Sequence, residues 1–245
     1  MQFTYKAYER LIGNLRNHGY QTVSYDNWEK AQRCVILRHD IDYDLDKAVK
    51  LAKIEMDLGV KSTYFVLLTS DFYNVFSKNA GDSLRTLKDC GHTIGLHFDE
   101  KRYPGIWGCN IEEIRQRIVK EAEVLSAAAA NEINVVSMHR PSGAVLDADL
   151  QIPGMINSYG QTYIRNFKYL SDSRRTWREP VEAIIEAEQF QRLHILTHAF
   201  WYNEQEKDIR RSVADYVNNG NRYRYECFQS NITNLEEIMS EEELW

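Results

Sequence analysis

The chain has 245 residues, a formal net charge of −6 and a hydrophobic fraction of 43%, so a sizeable core can form. The acidic balance and the lack of a basic run argue against nucleic acid as the main partner. Residues 1–6 lack the apolar core of a signal peptide, and no stretch is long enough to span a membrane. We therefore expect a cytoplasmic protein, and the lack of a Pro/Gly/Ser-rich linker predicts a single domain over residues 1–245.

The cysteines point to the same compartment. They are scattered without a C-x-x-C pair, at Cys34, Cys90, Cys109 and Cys227. This spacing predicts reduced thiols rather than a disulfide framework or a thiolate zinc site.

Helix-like and strand-like segments alternate along the chain. Helices are predicted at residues 5–17, 45–58, 83–89, 111–130, 181–188 and 207–218. Strands are predicted at residues 34–38, 62–68, 93–96, 134–138, 163–164, 169–170 and 193–197. This alternation favours an α/β fold with a mainly parallel sheet.

Ionisable side chains follow several of the predicted strands: Asp40 and Asp42, then His97, His139 and His198. Asp40 and Asp42 point to the same side of their strand because side chains alternate. Two neighbouring carboxylates repel unless a cation or a shared proton neutralises them. In barrels built from parallel strands, active sites lie at the carboxyl ends of the strands. The pattern therefore predicts a metal site at this end of the sheet.

Histidine and carboxylate together are a common ligand set for zinc and similar ions, so His97 is a candidate ligand rather than a core histidine. His92 follows the helix-ending Gly91, and His194 begins its strand, so both of these histidines are better explained as structural.

Arg140 follows the strand that ends before His139, and an arginine is expensive to bury unpaired. We expect it either to pair with Asp40 or Asp172 or to lie on the surface. A pairing with Asp40 would orient that carboxylate and keep it ionised.

His198 suits a general acid, because the pKa of histidine lies near neutrality. Trp201 and Tyr202 follow it closely. They would form either a wall for sugar stacking or ordinary packing.

Taken together, the motifs resemble those of the NodB-homology polysaccharide deacetylases, carbohydrate esterase family 4. The resemblance covers most of the chain from Val35 to Tyr202. It depends on the strand-end aspartate pair and four segments, which are residues 59–66, 91–97, 140–143 and 196–198. It implies a distorted, incomplete (β/α) barrel of TIM-like type.

Family roles transfer where the residues match. The resemblance implies that Asp40 is the catalytic base, that Asp42 and His97 bind the metal, and that His198 is the catalytic acid. It also implies the supporting residues, with Arg140 holding the base and Asp172, followed by Trp177, bracing that arginine.

One position departs from the family pattern. Lys101 stands where a second metal histidine is usual, and protonated lysine is a poor ligand. His139 is our first choice for the third donor, with Asp99 and Glu100 as alternatives.

The implied activity is that of a metal-dependent hydrolase, with zinc as the expected ion, which removes an acetyl or similar acyl group from an N-acylated sugar or glycan precursor. Loops at residues 72–82, 100–109 and 144–161 would shape its pocket. Two alternatives are a hydrolase of another C–N bond, of the cyclic imide or ureide type, and a non-catalytic sugar-binding protein.

Overall fold

The computed structural model describes residues 1–105, 108 and 110–244 and has a single parallel sheet at its centre. Its strands are β1 (Gln21–Val23), β2 (Cys34–Ile41), β3 (Thr63–Leu67), β4 (Thr93–Phe98), β5 (Val135–Met138), β6 (Ile156–Asn157), β7 (Lys168–Ser171) and β8 (Arg192–Thr197). The strand order is β6-β5-β4-β3-β2-β8-β7, and β1 pairs with the first half of β2. Within the described residues this path ends at β6 and β7, so the barrel stays open there. The predicted distorted, incomplete barrel is confirmed.

The helices of the described residues are α1 (Tyr5–Asn17), α2 (Leu45–Asp57), α3 (Lys78–Asp89), α4 (Ile111–Ala129), α5 (Gly143–Asp147), α6 (Gln161–Asn166), α7 (Val181–Glu186), α8 (Ile209–Gln229) and α9 (Leu235–Ile238).

Helix α2 shows how local sequence sets its bounds. The Asp44 side chain accepts hydrogen bonds from the backbone N–H groups of Asp46 and Lys47 at its start. Gly59, with a φ of +67°, follows its end.

The central strand β2 is buried along its whole length, as expected for a strand with neighbours on both sides in a parallel sheet. Close packing beside it depends on Gly95 of β4. A Cβ atom at this position would lie 2.6 Å from the Phe65 ring of β3. The glycine therefore lets Phe65 occupy the interior of the sheet.

Two features of the sheet differ from the sequence prediction. The strand predicted at residues 163–164 is wrong, because Tyr163 and Ile164 lie in α6. The backbone N–H groups of both residues donate to the carbonyl of Gly160, which starts a helical turn. The strands β1 and β6 were not predicted, since each is too short to give a periodic pattern.

The chain divides into two compact units, Met1–Glu204 and Gln205–Trp245. All the candidate site residues lie in the first unit. In the second unit, which contains α8 and α9, the Tyr225 hydroxyl donates to the Met239 carbonyl at 2.6 Å. The single domain predicted over residues 1–245 stays a prediction.

Among the described residues, no helix is both long and apolar enough to cross a membrane. Cys34, Cys90 and Cys227 carry free thiols, as predicted. Cys109 lies outside the described residues. So do Ile106 and Trp107, which belong to the loop predicted at residues 100–109.

Candidate metal centre

Three predicted ligands converge at the carboxyl end of the sheet. Asp42 Oδ1 lies 3.3 Å from His97 Nε2 and 3.3 Å from His139 Nδ1. The two ring nitrogens are 3.1 Å apart. These three atoms lie close enough together to hold one metal ion. The geometry therefore brings together the ligand set in which His139 is the third donor.

The Asp42 carboxylate fits a bound cation. Its Oδ1 atom is buried and makes no hydrogen bond, although the two imidazole nitrogens face it. Burial would raise the pKa of Asp42, but His139 and His97 hold that pKa below its usual range. A buried, ionised oxygen without a hydrogen bond is costly in isolation, and a divalent ion would satisfy it.

Neighbouring strands orient the two histidines. His97 lies on β4, and its Nδ1 is 2.7 Å from the Ser137 hydroxyl on β5. This contact leaves Nε2 facing Asp42, as expected when a second group orients a ligating histidine. The backbone N–H of His139 donates to the Phe98 carbonyl at 2.8 Å, which continues the pairing of β5 with β4 past the end of β5.

The alternative third donors are engaged elsewhere. Asp99 accepts hydrogen bonds from the Arg140 side chain and from the backbone N–H of Lys101. The Glu100 carboxylate accepts from the backbone N–H and the hydroxyl of Ser142. Lys101, at the position where the family has a histidine, is exposed. Of the three candidates, only His139 has a donor atom in the cluster.

Asp40, the predicted base, is held by an arginine of its own strand. Arg38 is two residues earlier, so both side chains point to the same side of β2. Its Nε and Nη2 atoms donate to the two carboxylate oxygens of Asp40, at 3.2 and 2.6 Å. Burial would raise the pKa of Asp40, but Arg38 and the nearby His97 hold that pKa below its usual range. Asp40 is therefore ionised.

Arg38 is itself buried, and its surroundings suit a charged guanidinium. It donates to the Ser158 hydroxyl at 3.1 Å and lies 5.1 Å from the ring centres of both Phe65 and Tyr159. Such cation–π contacts favour a desolvated guanidinium. Arg38 was not predicted as a site residue, although strand alternation from Asp40 would have identified it.

The predicted pairing of Arg140 with Asp40 or Asp172 is wrong. Arg140 pairs with Asp99 instead, and its side chain is 53% exposed. His139 and Arg140 lie in a bend that follows β5, and only His139 has its side chain in the cluster. Arg140 is therefore directed away from Asp40, and Arg38 holds that carboxylate.

The role predicted for Asp172 also needs correction, because it contacts His198 rather than Arg140. Asp172 Oδ1 lies 2.7 Å from His198 Nδ1, and the backbone N–H of His198 donates to the same carboxylate at 3.1 Å. Burial would lower the pKa of His198, but Asp172 raises it to about 9. His198 Nε2 faces the cluster, 3.9 Å from Asp42 Oδ2. At neutral pH His198 therefore carries a proton at the edge of the site.

The predicted sugar-stacking wall is wrong, because both of its aromatic residues belong to the core. Tyr202 is 0% exposed, and its hydroxyl donates to Asp172 Oδ2 at 3.2 Å. Trp201 is only 8% exposed, and its ring lies 4.8 Å from that of Phe200. A short 3-10 helix, Ala199–Trp201, turns the chain inward at this point. Neither ring presents a face to a substrate.

The two histidines predicted to be structural are buried away from the cluster. His92 Nε2 lies 3.0 Å from the Ala52 carbonyl, and His194 Nε2 lies 2.8 Å from the Tyr25 hydroxyl. Both structural assignments are confirmed.

No family model and no curated protein match the sequence. Among solved structures, a family 4 acetyl xylan esterase from Clostridium thermocellum in complex with a cobalt ion is 16% identical to this chain. The match covers 67% of this chain and 73% of the esterase chain, with a TM-score of 0.45. A family 4 carbohydrate esterase from Bacillus anthracis is 15% identical, covering 85% and 83%, with a TM-score of 0.44. A family 4 pseudoenzyme from the same species is 15% identical, covering 78% and 62%, with a TM-score of 0.46. The chain is similar in structure, at low sequence identity, to carbohydrate esterases of family 4 and to a pseudoenzyme of that family.

Proposed function

We propose that this protein is a metal-dependent amide hydrolase that removes an acetyl or other small acyl group from an N-acylated sugar or glycan precursor. One observation carries the proposal. A three-donor cluster of Asp42, His97 and His139 lies close to an ionised carboxylate, Asp40, and to a protonated imidazole, His198. A base and an acid beside an electrophilic centre are what hydrolysis of an amide requires.

The donor set of one carboxylate and two imidazoles suits zinc. When bound, such an ion polarises a carbonyl group and lowers the pKa of a bound water toward about 7. Three protein ligands leave a coordination position for water and substrate.

Asp40 would accept the proton of the attacking water. Its carboxylate is ionised at neutral pH, and Arg38 fixes its orientation through two hydrogen bonds. Asp40 Oδ2 lies 3.5 Å from His97 Nε2, so the base is adjacent to a proposed metal ligand.

His198 would donate a proton to the leaving amine. Because Asp172 engages Nδ1, the proton that faces the cluster is on Nε2. A raised pKa keeps that proton in place at neutral pH, which is the state required of a general acid.

The sugar substrate is proposed from the motif resemblance. We also propose that this substrate is an intracellular, nucleotide-linked or lipid-linked precursor.

Elemental analysis of the purified protein tests the metal site. We expect one divalent ion per chain in the wild type and in Glu100→Gln, and loss of the ion in His139→Ala. Glu100 is the matched control because its carboxylate contacts Ser142 rather than the cluster. Stoichiometric metal in His139→Ala would remove His139 from the ligand set.

An activity panel tests the reaction. N-acetyl sugars, cyclic imides and ureides are supplied to the zinc-loaded protein, and release of acetate or ring opening is measured. We expect acetate release, lowered by roughly 10²–10⁴-fold in Asp40→Asn and in His198→Ala. Hydrolysis of imides alone would support the other C–N hydrolase, and binding of sugar without turnover would support a sugar-binding protein.

A further inference from the structure

An exposed aromatic side chain, Phe72, packs against Tyr43, the residue after the proposed metal ligand Asp42, and has no role in the chemistry described above. We propose that Phe72 and Tyr43 form an aromatic platform that stacks against the pyranose ring of the substrate. The proposal rests on the proposed function for the class of ligand. It replaces the wall predicted from Trp201 and Tyr202, which are buried.

The platform begins at the metal cluster itself. Tyr43 directly follows Asp42, and its ring centre lies 4.9 Å from that of Phe200 and 5.0 Å from that of Phe72. Phe200 supports the Tyr43 ring from the core side, and Phe72 meets it at 77°, edge to face.

Phe72 lies in a loop that is tied to the end of β2. The Ser70 hydroxyl donates to the carbonyl of Asp42 at 2.9 Å and accepts from the backbone N–H of Phe72 at 3.1 Å. The Tyr73 hydroxyl donates to the carbonyl of Ile41 at 2.6 Å. One side chain, Ser70, therefore connects a proposed metal ligand with the aromatic residue. The backbone of Phe72 is thereby anchored to the strand end that carries Asp42.

The exposed ring of Phe72 is available for contact with a ligand. The side chain is 53% exposed, so it offers apolar surface to a ligand while its backbone stays anchored. Small-molecule sites combine apolar or aromatic walls with a few polar groups that fix orientation. A pyranose ring has an apolar C–H face and a polar edge. It would place that face on Phe72 while its N-acyl group reaches the cluster beside Tyr43.

Direct binding tests the platform without requiring turnover. The dissociation constant of N,N′-diacetylchitobiose is measured by NMR titration for the wild type, Phe72→Ala, Phe72→Trp and Phe228→Ala. Phe228 is the matched control, being a phenylalanine of the second unit with a similar exposure of 57%. We expect at least fivefold weaker binding for Phe72→Ala and affinity within twofold of wild type for the other two variants. Thermal midpoints would show that all variants are folded.

Steady-state kinetics on the active N-acetyl sugar complete the test. We expect Phe72→Ala to raise KM at least fivefold while kcat changes less than twofold. Unchanged binding and KM in Phe72→Ala, an equal loss in Phe228→Ala, or no disaccharide binding by the wild type would overturn the platform. Disaccharide binding that depends on Phe72 without any acyl hydrolysis would uphold the platform and refute the proposed function.

Discussion

His39 Nδ1 lies 2.6 Å from Thr197 Oγ1, and this contact joins the residues that immediately precede Asp40 and His198. His39 and Thr197 are also register partners in the pairing of β2 with β8. The side chains that precede the proposed base and the proposed acid are therefore linked on the outer face of the sheet. We expect this link to fix the separation of Asp40 and His198.

Helix α2 supports this link through Glu55. His39 Nε2 lies 3.0 Å from Glu55 Oε1, and the same buried carboxylate accepts hydrogen bonds from the hydroxyls of Tyr8, Ser62 and Tyr64. Burial would raise the pKa of Glu55, but His39, His92 and Ser62 lower it to about 2. A saturated, ionised carboxylate thus anchors the imidazole.

Thr197→Val tests whether the link positions the two catalytic groups. Valine has a similar shape but no hydroxyl, so His39 Nδ1 loses its partner. We expect kcat to fall roughly tenfold to a hundredfold, because small misplacements of catalytic groups are costly. Unfolding free energy should fall by about 1–3 kcal/mol, and metal content should not change. Thr197→Ser keeps the hydroxyl and serves as the control. Equal kcat values for the two variants would show that the link does not position the site.

Arg38 and Arg140 should differ sharply in their effect on stability. Arg38→Met leaves the Asp40 carboxylate buried and unpaired, which we expect to lower the unfolding free energy by roughly 3–5 kcal/mol. Arg140→Met removes a half-exposed partner of Asp99 and should cost about 1 kcal/mol or less. Urea denaturation of both variants measures the difference. Similar losses would mean that Arg38 is not the residue that stabilises the buried carboxylate.

Asp172→Asn should change the pH dependence of the reaction. The pKa of His198 is raised to about 9 chiefly by Asp172, so the acid stays protonated at neutral pH and loses its proton as the pH rises through about 9. Without that charge the alkaline decline in kcat should move to lower pH. An alkaline limb at the wild-type position in Asp172→Asn would contradict this account of His198.

Because of Glu121 on α4, we expect the folded protein to become less stable as the pH rises. Burial raises its pKa to about 7 from the usual value of 4.5 for glutamate, and its Oε2 atom is buried without a hydrogen bond. The folded state therefore binds this proton more tightly than the unfolded state. The stabilisation is lost as the pH rises from about 4.5 through about 7. Between pH 5 and pH 8 the unfolding free energy of the wild type should fall by about 2–3 kcal/mol more than that of Glu121→Gln. Parallel stability curves for the two proteins over this range would contradict the prediction.

Much of the site could be predicted from local sequence. Strand alternation places Asp40 and Asp42 on one side of β2, and parallel strands bring His97, His139 and His198 to the same end of the sheet. Both rules depend only on the period of the strand and on the direction of the chain.

The pairings within the site could not be predicted in the same way. The sequence motif assigned Arg140 to Asp40, but the choice between Arg38 and Arg140 depends on which side chain turns inward. It also depends on which aromatic rings surround the guanidinium, and only packing decides that. The motif also assigned Asp172 to Arg140. That assignment was wrong because nothing in the residues around Asp172 shows that β7 lies beside β8 and ends next to His198.

The sequence by itself determined the alternation of strands and helices and the strand-end positions of the candidate ligands. These follow from the residue period and from chemistry carried by single side chains. Tertiary structure decided which candidate joins Asp42 and His97 as a third donor, the partner of each charged group and the burial of Trp201 and Tyr202. Those depend on distances between residues far apart in the chain, which are set by how the strands pair and how the core packs.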